Sequence, residues 1–303
     1  MPCYYPLKGY LSKSLTVNGK RGITFTASKG FTDKPMTIPC GQCIGCRLKY
    51  SAMWAARMVH ESQLYDDNCF ITLTYDDDHL PSDLSLRKRD FQLFMKRLRK
   101  RFSSDRIRFF HCGEYGENFG RPHYHACLFN FDFPDRELFS IRNDVRLYTS
   151  DILTDIWGKG MCSVGDVTFD SAAYVARYVT KKVTGDLADD HYQSVDLDTG
   201  EITWRQPEYT TMSRRPGIGR DWYEKYGAAT HHDDFIVVNG RKMNPPKYYD
   251  GLFELASEEA SSALKLARKQ KAQAFADNNT PERLKTRCYI QERRLNLLPR
   301  NLQ

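Results

Sequence analysis

GRPHYHACLF, residues 120–129, sets a Gly-Arg-Pro turn directly ahead of two histidines that stand one residue apart. The residues after the turn, HYHACLFNF (123–131), and those before it, RIRFFHCGEY (106–115), both read as strands. The link between them, GENFGRP, holds two glycines and a proline, which predicts a hairpin. Hairpin strands pair antiparallel, and successive side chains on a strand point to opposite faces. His123 and His125 therefore project together, with Tyr124 and Ala126 on the other face. A hairpin centred near residues 118–119 puts Glu114 opposite His123; Glu117 is the competing carboxylate, in the turn. Two imidazoles and a carboxylate suit Mn2+ or Mg2+ with positions left open for a substrate oxygen. An isolated His-x-His is more often a pair of surface histidines, so the reading depends on what surrounds it.

On the N-terminal side, CFITLTY (69–75) is short and rich in β-branched and aromatic residues, as a central strand would be. Residues 47–65 carry a helical stripe of Leu48, Ala52, Ala55 and Val59. A second helix starts near Asp90, with Phe91, Phe94, Met95, Leu98 and Phe102 inward and a dense set of cations elsewhere. SLTVNGKRGITFTAS, within 14–39, is a β region with an Asn-Gly turn. On the C-terminal side come a helix at 151–158, a strand at 161–169 and a helix at 170–183. Beyond 185 the pattern loosens into a polar flap. From about Asp250 two helices follow, split by the Asn-Asn-Thr-Pro break at 278–281. The order strand, helix, hairpin, helix, strand, helix predicts an α+β fold with helices packed on a mainly antiparallel sheet. The expected divisions are a Cys-rich element with its helix (1–65), a core (66–185), an accessory flap (186–250) and a helical tail (251–303).

The 303 residues are 41% hydrophobic, enough for a sizeable core, and carry a net charge of +7 with a pI of about 8.8. That excess suits a nucleic-acid partner, and the run RKRDFQLFMKRLRKR (87–101) concentrates part of it. No signal peptide or membrane-spanning stretch is visible, which points to a cytoplasmic protein. Cys40, Cys43 and Cys46 are spaced C-x2-C-x2-C. With Cys3 they suit structural zinc; free thiols or an iron–sulfur cluster are the alternatives. Cys69, Cys112, Cys127 and Cys162 sit in strand-like segments and are expected in the core.

DSAAYVARYVTKKV (170–183) shows two stripes. Ala172, Val175, Ala176, Val179 and Val183 form an apolar one. Tyr174, Arg177, Tyr178 and Lys181 form a second, so the tyrosines are expected off the face that builds the core. Each tyrosine is followed three residues later by a cation. A cation favours the phenolate, and it stabilises charge on a phosphate under attack.

FITLTYDDDHLP, GRPHYHACLF and YVARYVTKK occur in the order of the three motifs of HUH rolling-circle replication initiators, which this chain resembles over roughly residues 1–250. Tyr124 stands where that pattern usually has a bulky apolar residue. The two tyrosines four apart, with CYYPL, PCGQCIGCR and PGIGRDWYEKY, resemble the gokushovirus-type replication proteins of small single-stranded DNA phages. The resemblance implies an HUH endonuclease fold and a catalytic ion on His123, His125 and Glu114. It makes Tyr174 and Tyr178 the nucleophiles, with Arg177 and Lys181 beside them. It also implies origin nicking through a 5′-phosphotyrosine link, followed by strand transfer that closes a circle. Single-stranded or extruded origin DNA would be the substrate, with a host polymerase and helicase as partners in the bacterial cytoplasm. Candidate DNA contacts are Thr72, Thr74, Arg87, Lys88, Arg89, Arg121, Lys182, Arg214, Arg215 and Arg220. A single-tyrosine nickase of plasmids or transposons, and a non-catalytic zinc-containing DNA-binding protein, are the alternatives.

Overall fold

A computed structural model describes residues 3–17, 19, 21–103, 106–116, 119–142, 145–178, 187–195 and 199–297. The chain divides into two compact units, one of residues 1–50 with 262–301, the other of residues 51–261.

The first unit opens with strands β1 (Leu7–Leu15), β2 (Arg21–Thr24) and β3 (Gly30–Ile38), an antiparallel sheet in the order β2-β1-β3. The β1–β2 turn follows the Asn-Gly signal, with Gly19 at φ +71°, a backbone setting glycine reaches without strain. Helix α1 (Ile44–Ser62) then leads into the second unit.

That unit is built on β4 (Asn68–Thr74), α2 (Lys88–Arg101), β5 (Arg108–Tyr115), β6 (Pro122–Phe129), β7 (Glu137–Arg142), β8 (Val145–Thr149), α3 (Asp151–Trp157), β9 (Cys162–Gly165) and α4 (Phe169–Tyr178). There follow α5 (Leu187–Tyr192), a small β10–β11 hairpin (Gln193–Val195, Ile202–Trp204), β12 (Tyr209–Met212), α6 (Arg220–His232), a β13–β14 hairpin (Ile236–Val238, Arg241–Met243) and α7 (Lys247–Ala256). Helix α8 (Glu258–Gln273) returns the chain to the first unit, which ends in α9 (Pro281–Asn296).

The fold is α+β, and the main sheet is antiparallel in the order β12-β5-β6-β4-β9-β8-β7, with β4 in the middle. Both faces of the central strands β4 and β6 are buried, which explains why FITL reads as one continuous apolar run. Cys69, Ile71, Leu73, Tyr124, Ala126 and Leu128 turn to one face and pack with Phe91, Phe94 and Leu98 of α2 and Trp157 of α3. Phe70, Phe110, Cys112, Cys127 and Phe129 turn to the other, against Ala55 and Met58 of α1 and Ala172, Val175 and Ala176 of α4. Fully burying a side chain of this size stabilises by roughly 1.5–3 kcal/mol, so both layers are needed to hold β4 and β6 in place.

Several features depart from the sequence expectation: the tail read as two helices from about Asp250 holds three, because α7 ends at Ala256 and α8 starts at Glu258, and the region read as a polar flap contains helix α6. The hairpin β7–β8 and the edge strand β12 were not foreseen; both are short, and β12 lies among turn signals. Tyr174, expected off the core-building face, is buried in the second core layer. The helical period distinguishes stripes on a helix, but it does not say that the sheet below receives more than one of them. Val179, Lys181, Lys182, Val183 and Glu117 lie outside the described residues, and the side chain of Tyr178 is likewise not described.

Candidate metal and nucleophile site

The β5–β6 hairpin pairs Glu114 with His123 and Cys112 with His125, the register expected from its turn. On the other side β4 sets Thr72 opposite His125 and Thr74 opposite His123. Opposed residues share a face, so the two histidines, the carboxylate and both threonines point to the side of the sheet covered by α4.

Three donor atoms converge there. The His125 Nε2 lies 2.7 Å from the Glu114 Oε1, and the His123 Nε2 lies 3.4 Å from the same oxygen. The ligand atoms of all three residues fall within 4.8 Å of one another. The other ring nitrogen of His125, Nδ1, lies 3.0 Å from the Thr72 hydroxyl. That contact fixes the ring plane and commits Nε2 to the site, the role an outer-shell partner plays for a metal-binding histidine. Phe70 stacks on the His125 ring at 5.7 Å. Burial alone would raise the Glu114 carboxyl, but hydrogen bonds and charge from His123 and His125 outweigh it and hold it below the ordinary value. A buried carboxylate beside two imidazole Nε2 atoms fits a divalent cation.

Helix α4 brings Tyr174 to the same place. Its ring stands edge-on to His125 at 5.1 Å and edge-on to Phe70 at 6.4 Å. The Arg177 guanidinium lies 5.9 Å from the centre of the Tyr174 ring. The helix start is capped by Thr168 and Ser171, which exchange side-chain-to-backbone hydrogen bonds of 2.8 and 3.1 Å.

The other candidate contacts are distributed unevenly. Thr72 is spent on His125, and the Thr74 hydroxyl donates to the Met161 carbonyl at 2.7 Å. Arg87 pairs with Asp83, Arg121 with Asp77 and Arg220 with Glu224. Lys88 lies 4.6 Å over the Tyr209 ring. Arg89, Arg214 and Arg215 are exposed. Sequence reasoning missed Phe70 as the support of His125, and it missed the contact between Thr72 and the His125 ring. The alternation of FITLTY against HYH was the signal available for both.

In the first unit the sulfurs of Cys3, Cys40, Cys43 and Cys46 also lie within 4.8 Å of one another. Cys3 and Cys40 are 3.6 Å apart, Cys3 and Cys43 3.9 Å. A disulfide needs about 2.05 Å, whereas four thiolates around one zinc at about 2.3 Å stand about 3.8 Å apart. In a 4Fe–4S cluster each thiolate bonds a different iron, and the four sulfurs spread further. Backbone N–H groups of Cys40, Cys43 and Tyr4 donate to the sulfurs of Cys3, Cys40 and Cys43 at 3.2–3.3 Å. Gly41 makes this turn possible at φ +78°. Tyr4, Leu284 and Cys288 close over the cluster, so α9 packs on the cysteine turn. Cys69, Cys112, Cys127 and Cys162 are buried, as expected.

Residues 68–183 match the family model for the replication-associated protein ORF2/G2P. The chain is 38% identical over 226 residues to the replication-associated protein VP4 of Bdellovibrio phage phiMH2K, covering 72% of this chain and 67% of the relative. It is 31% identical over 272 residues to the replication-associated protein ORF2 of Spiroplasma virus 4, covering 84% and 81%. To the replication-associated protein ORF4 of Chlamydia phage 1 it is 32% identical over 234 residues, covering 74% and 55%. No solved structure matches the chain.

Proposed function

Since the chain belongs to the replication-associated proteins of gokushovirus-type phages, we propose that it initiates rolling-circle replication as an HUH endonuclease. In this reading it cuts one strand of the origin and later rejoins it. The observation that carries the proposal is the convergence of Glu114, His123 and His125 under a helix that sets Tyr174 against His125.

His123, His125 and Glu114 would hold a Mn2+ or Mg2+ ion, which would supply Lewis-acid polarisation of the scissile phosphate. The chain's own residues do the rest. Thr72 and Phe70 keep the His125 ring oriented. Tyr174 supplies the oxygen that attacks phosphorus; its bond to phosphorus forms as the bond to the 3′-oxygen breaks. The phenolic proton is given up, and the leaving 3′-oxygen gains one. Arg177 offsets the charge that develops on the phosphate. The phosphodiester's energy is kept in the 5′-phosphotyrosine link, so rejoining needs no nucleotide cofactor. Tyr178, one helical turn on, would make the second cut after a round of extension by a host polymerase. The freed 3′-hydroxyl then attacks the first phosphotyrosine and closes a circle. The substrate is single-stranded or extruded origin DNA, and the setting is the host cytoplasm, where polymerase and helicase are at hand. Among the described residues no helix is long and apolar enough to cross a membrane.

The four cysteines are assigned to structural zinc, supported by their spacing and by the N–H groups aimed at them.

The test is a nicking assay on end-labelled circular-phage origin DNA. Wild type with Mn2+ should convert the strand to a cut product, and withholding divalent metal should stop it. His123→Ala with His125→Ala should lower the rate by at least ~1000-fold while the protein stays folded; oxyanion-type charge stabilisation has comparable worth. Full activity of the double variant would remove the assigned ligands.

A further inference from the structure

The positive charge of this chain is not where the proposed chemistry is. The unit formed by residues 1–50 and 262–301 holds eight Lys and Arg against one Asp in its first part. In its second part it holds ten against three acids. Its formal charge is therefore +14. Residues 51–261, which carry the histidines and tyrosines, hold 27 Lys and Arg against 34 acids, a charge of −7. The modest net value of +7 hides this segregation.

The two populations of cations also differ in what they touch. In the core unit several are compensated, while others, Lys96 and Lys225 among them, are exposed. Arg108 pairs with Glu61, Arg136 with Asp132 and Asp166, Arg101 with Asp155, and Arg121 with Asp77. In the terminal unit Lys8, Lys13, Arg21, Lys29 and Lys34 are exposed and form no ion pair among the described residues. On α9, Lys285, Arg293 and Arg294 are exposed as well. The same unit exposes aromatic rings: Tyr5 is 57% exposed, Phe25 60%, Phe275 59% and Tyr289 57%. Arg293 sits 5.1 Å over the Tyr289 ring, and Arg21 5.2 Å over Phe31. Uncompensated like charges repel each other and destabilise the compact state unless a polyanion neutralises them. Cations interleaved with exposed rings are the surface on which an unpaired strand lies, its phosphates on the charges and its bases on the rings.

We propose that this terminal unit is the chain's DNA-holding module, binding single-stranded DNA without regard to sequence, while the acidic core unit supplies the cut. The polyanion is single-stranded DNA because the proposed reaction, on which this inference rests, generates and retains it. The four-cysteine turn and α9 would hold the module's two chain segments together.

The test is fluorescence anisotropy of full-length protein with a labelled thirty-residue oligothymidine across a KCl series, with no divalent metal added, so that no cutting is needed. Binding to single strands weakens with salt by about 0.7 in the log–log slope for each phosphate contact. K8Q/K13Q/R21Q/K34Q should bind more weakly, with a slope shallower by about 3. K96Q/K100Q/K225Q/R241Q, four exposed cations of the core unit, should change the slope by less than about 1. Should the first variant fail to fold by circular dichroism, K285Q/R293Q/R294Q on α9 reads the same module, with a loss of about 2. An unchanged slope in the terminal-unit variants, or a larger loss in the core-unit variant, would overturn the proposal. So would tighter binding to phosphatidylglycerol vesicles than to the oligonucleotide. A protein that fails to nick but keeps this pattern refutes the endonuclease reading alone.

Discussion

At the scale of single residues, the departure at Tyr124 from the apolar pattern has a structural reason. Its hydroxyl lies 2.9 Å from that of Tyr75, accepts the Arg87 N–H at 2.8 Å and donates to the Arg87 carbonyl at 3.1 Å. The histidine strand is thus tied through its back face to the start of α2. Tyr124→Phe keeps the ring and strands those partners, so it should cost about 1–3 kcal/mol in urea unfolding; no loss would mean that the network is incidental. His60 gives a pH dependence. Burial lowers it to about 4 from an ordinary 6.5, and its ring stacks on Trp222 at 3.5 Å. Between those values the unfolded chain binds the extra proton, so stability is complete above pH 6.5 and falls as the pH drops towards 4. The loss from this one group should reach roughly 3 kcal/mol, and His60→Gln should shrink the difference in urea midpoint between pH 7 and pH 4.5. An undiminished difference would place the acid sensitivity elsewhere.

Elements show what could be read from the sequence and what could not. The β5–β6 hairpin was legible because GENFGRP fixes the turn, and the turn fixes the register that joins Glu114 to His123. The break before α9 was legible for a similar reason: Thr280 caps the helix and Pro281 takes its first turn. The burial of Tyr174 was not legible, because it depends on Phe70 and His125 arriving from other strands. Nor was the anchoring of the 216–219 segment. Glu61 on α1 pairs with Arg108 in the interior and accepts the Gly219 N–H at 2.6 Å, while Arg108 donates to the Pro216 carbonyl at 2.9 Å. Glu61→Ala would leave Arg108 buried without its carboxylate and should destabilise by about 3–5 kcal/mol; a loss below ~1 kcal/mol would show that water replaces the pair. For the cysteine turn, elemental analysis of wild type should find about one zinc per chain. Cys43→Ser should release it and lower the melting temperature. A metal-free wild type of unaltered stability would rule zinc out.

Across the whole molecule, the site face of the main sheet and the family of the chain agree on a replication role, and the division of charge between the two units was hidden by a net value that averages them. The central claim is that a tyrosine of α4 becomes covalently joined to the 5′ end of the cut strand. Mass spectrometry of tryptic peptides, after reaction with origin DNA and Mn2+ and nuclease trimming, tests it most directly. Wild type should yield a nucleotide-bearing phosphotyrosine in the peptide containing Tyr174 or in the adjoining one that begins with Tyr178, since trypsin can cleave after Arg177. Tyr174→Phe and Tyr178→Phe should each move the mark to the remaining tyrosine, and the double variant should carry none. Cut DNA with no modified tyrosine, or a modified residue outside α4, would contradict the account.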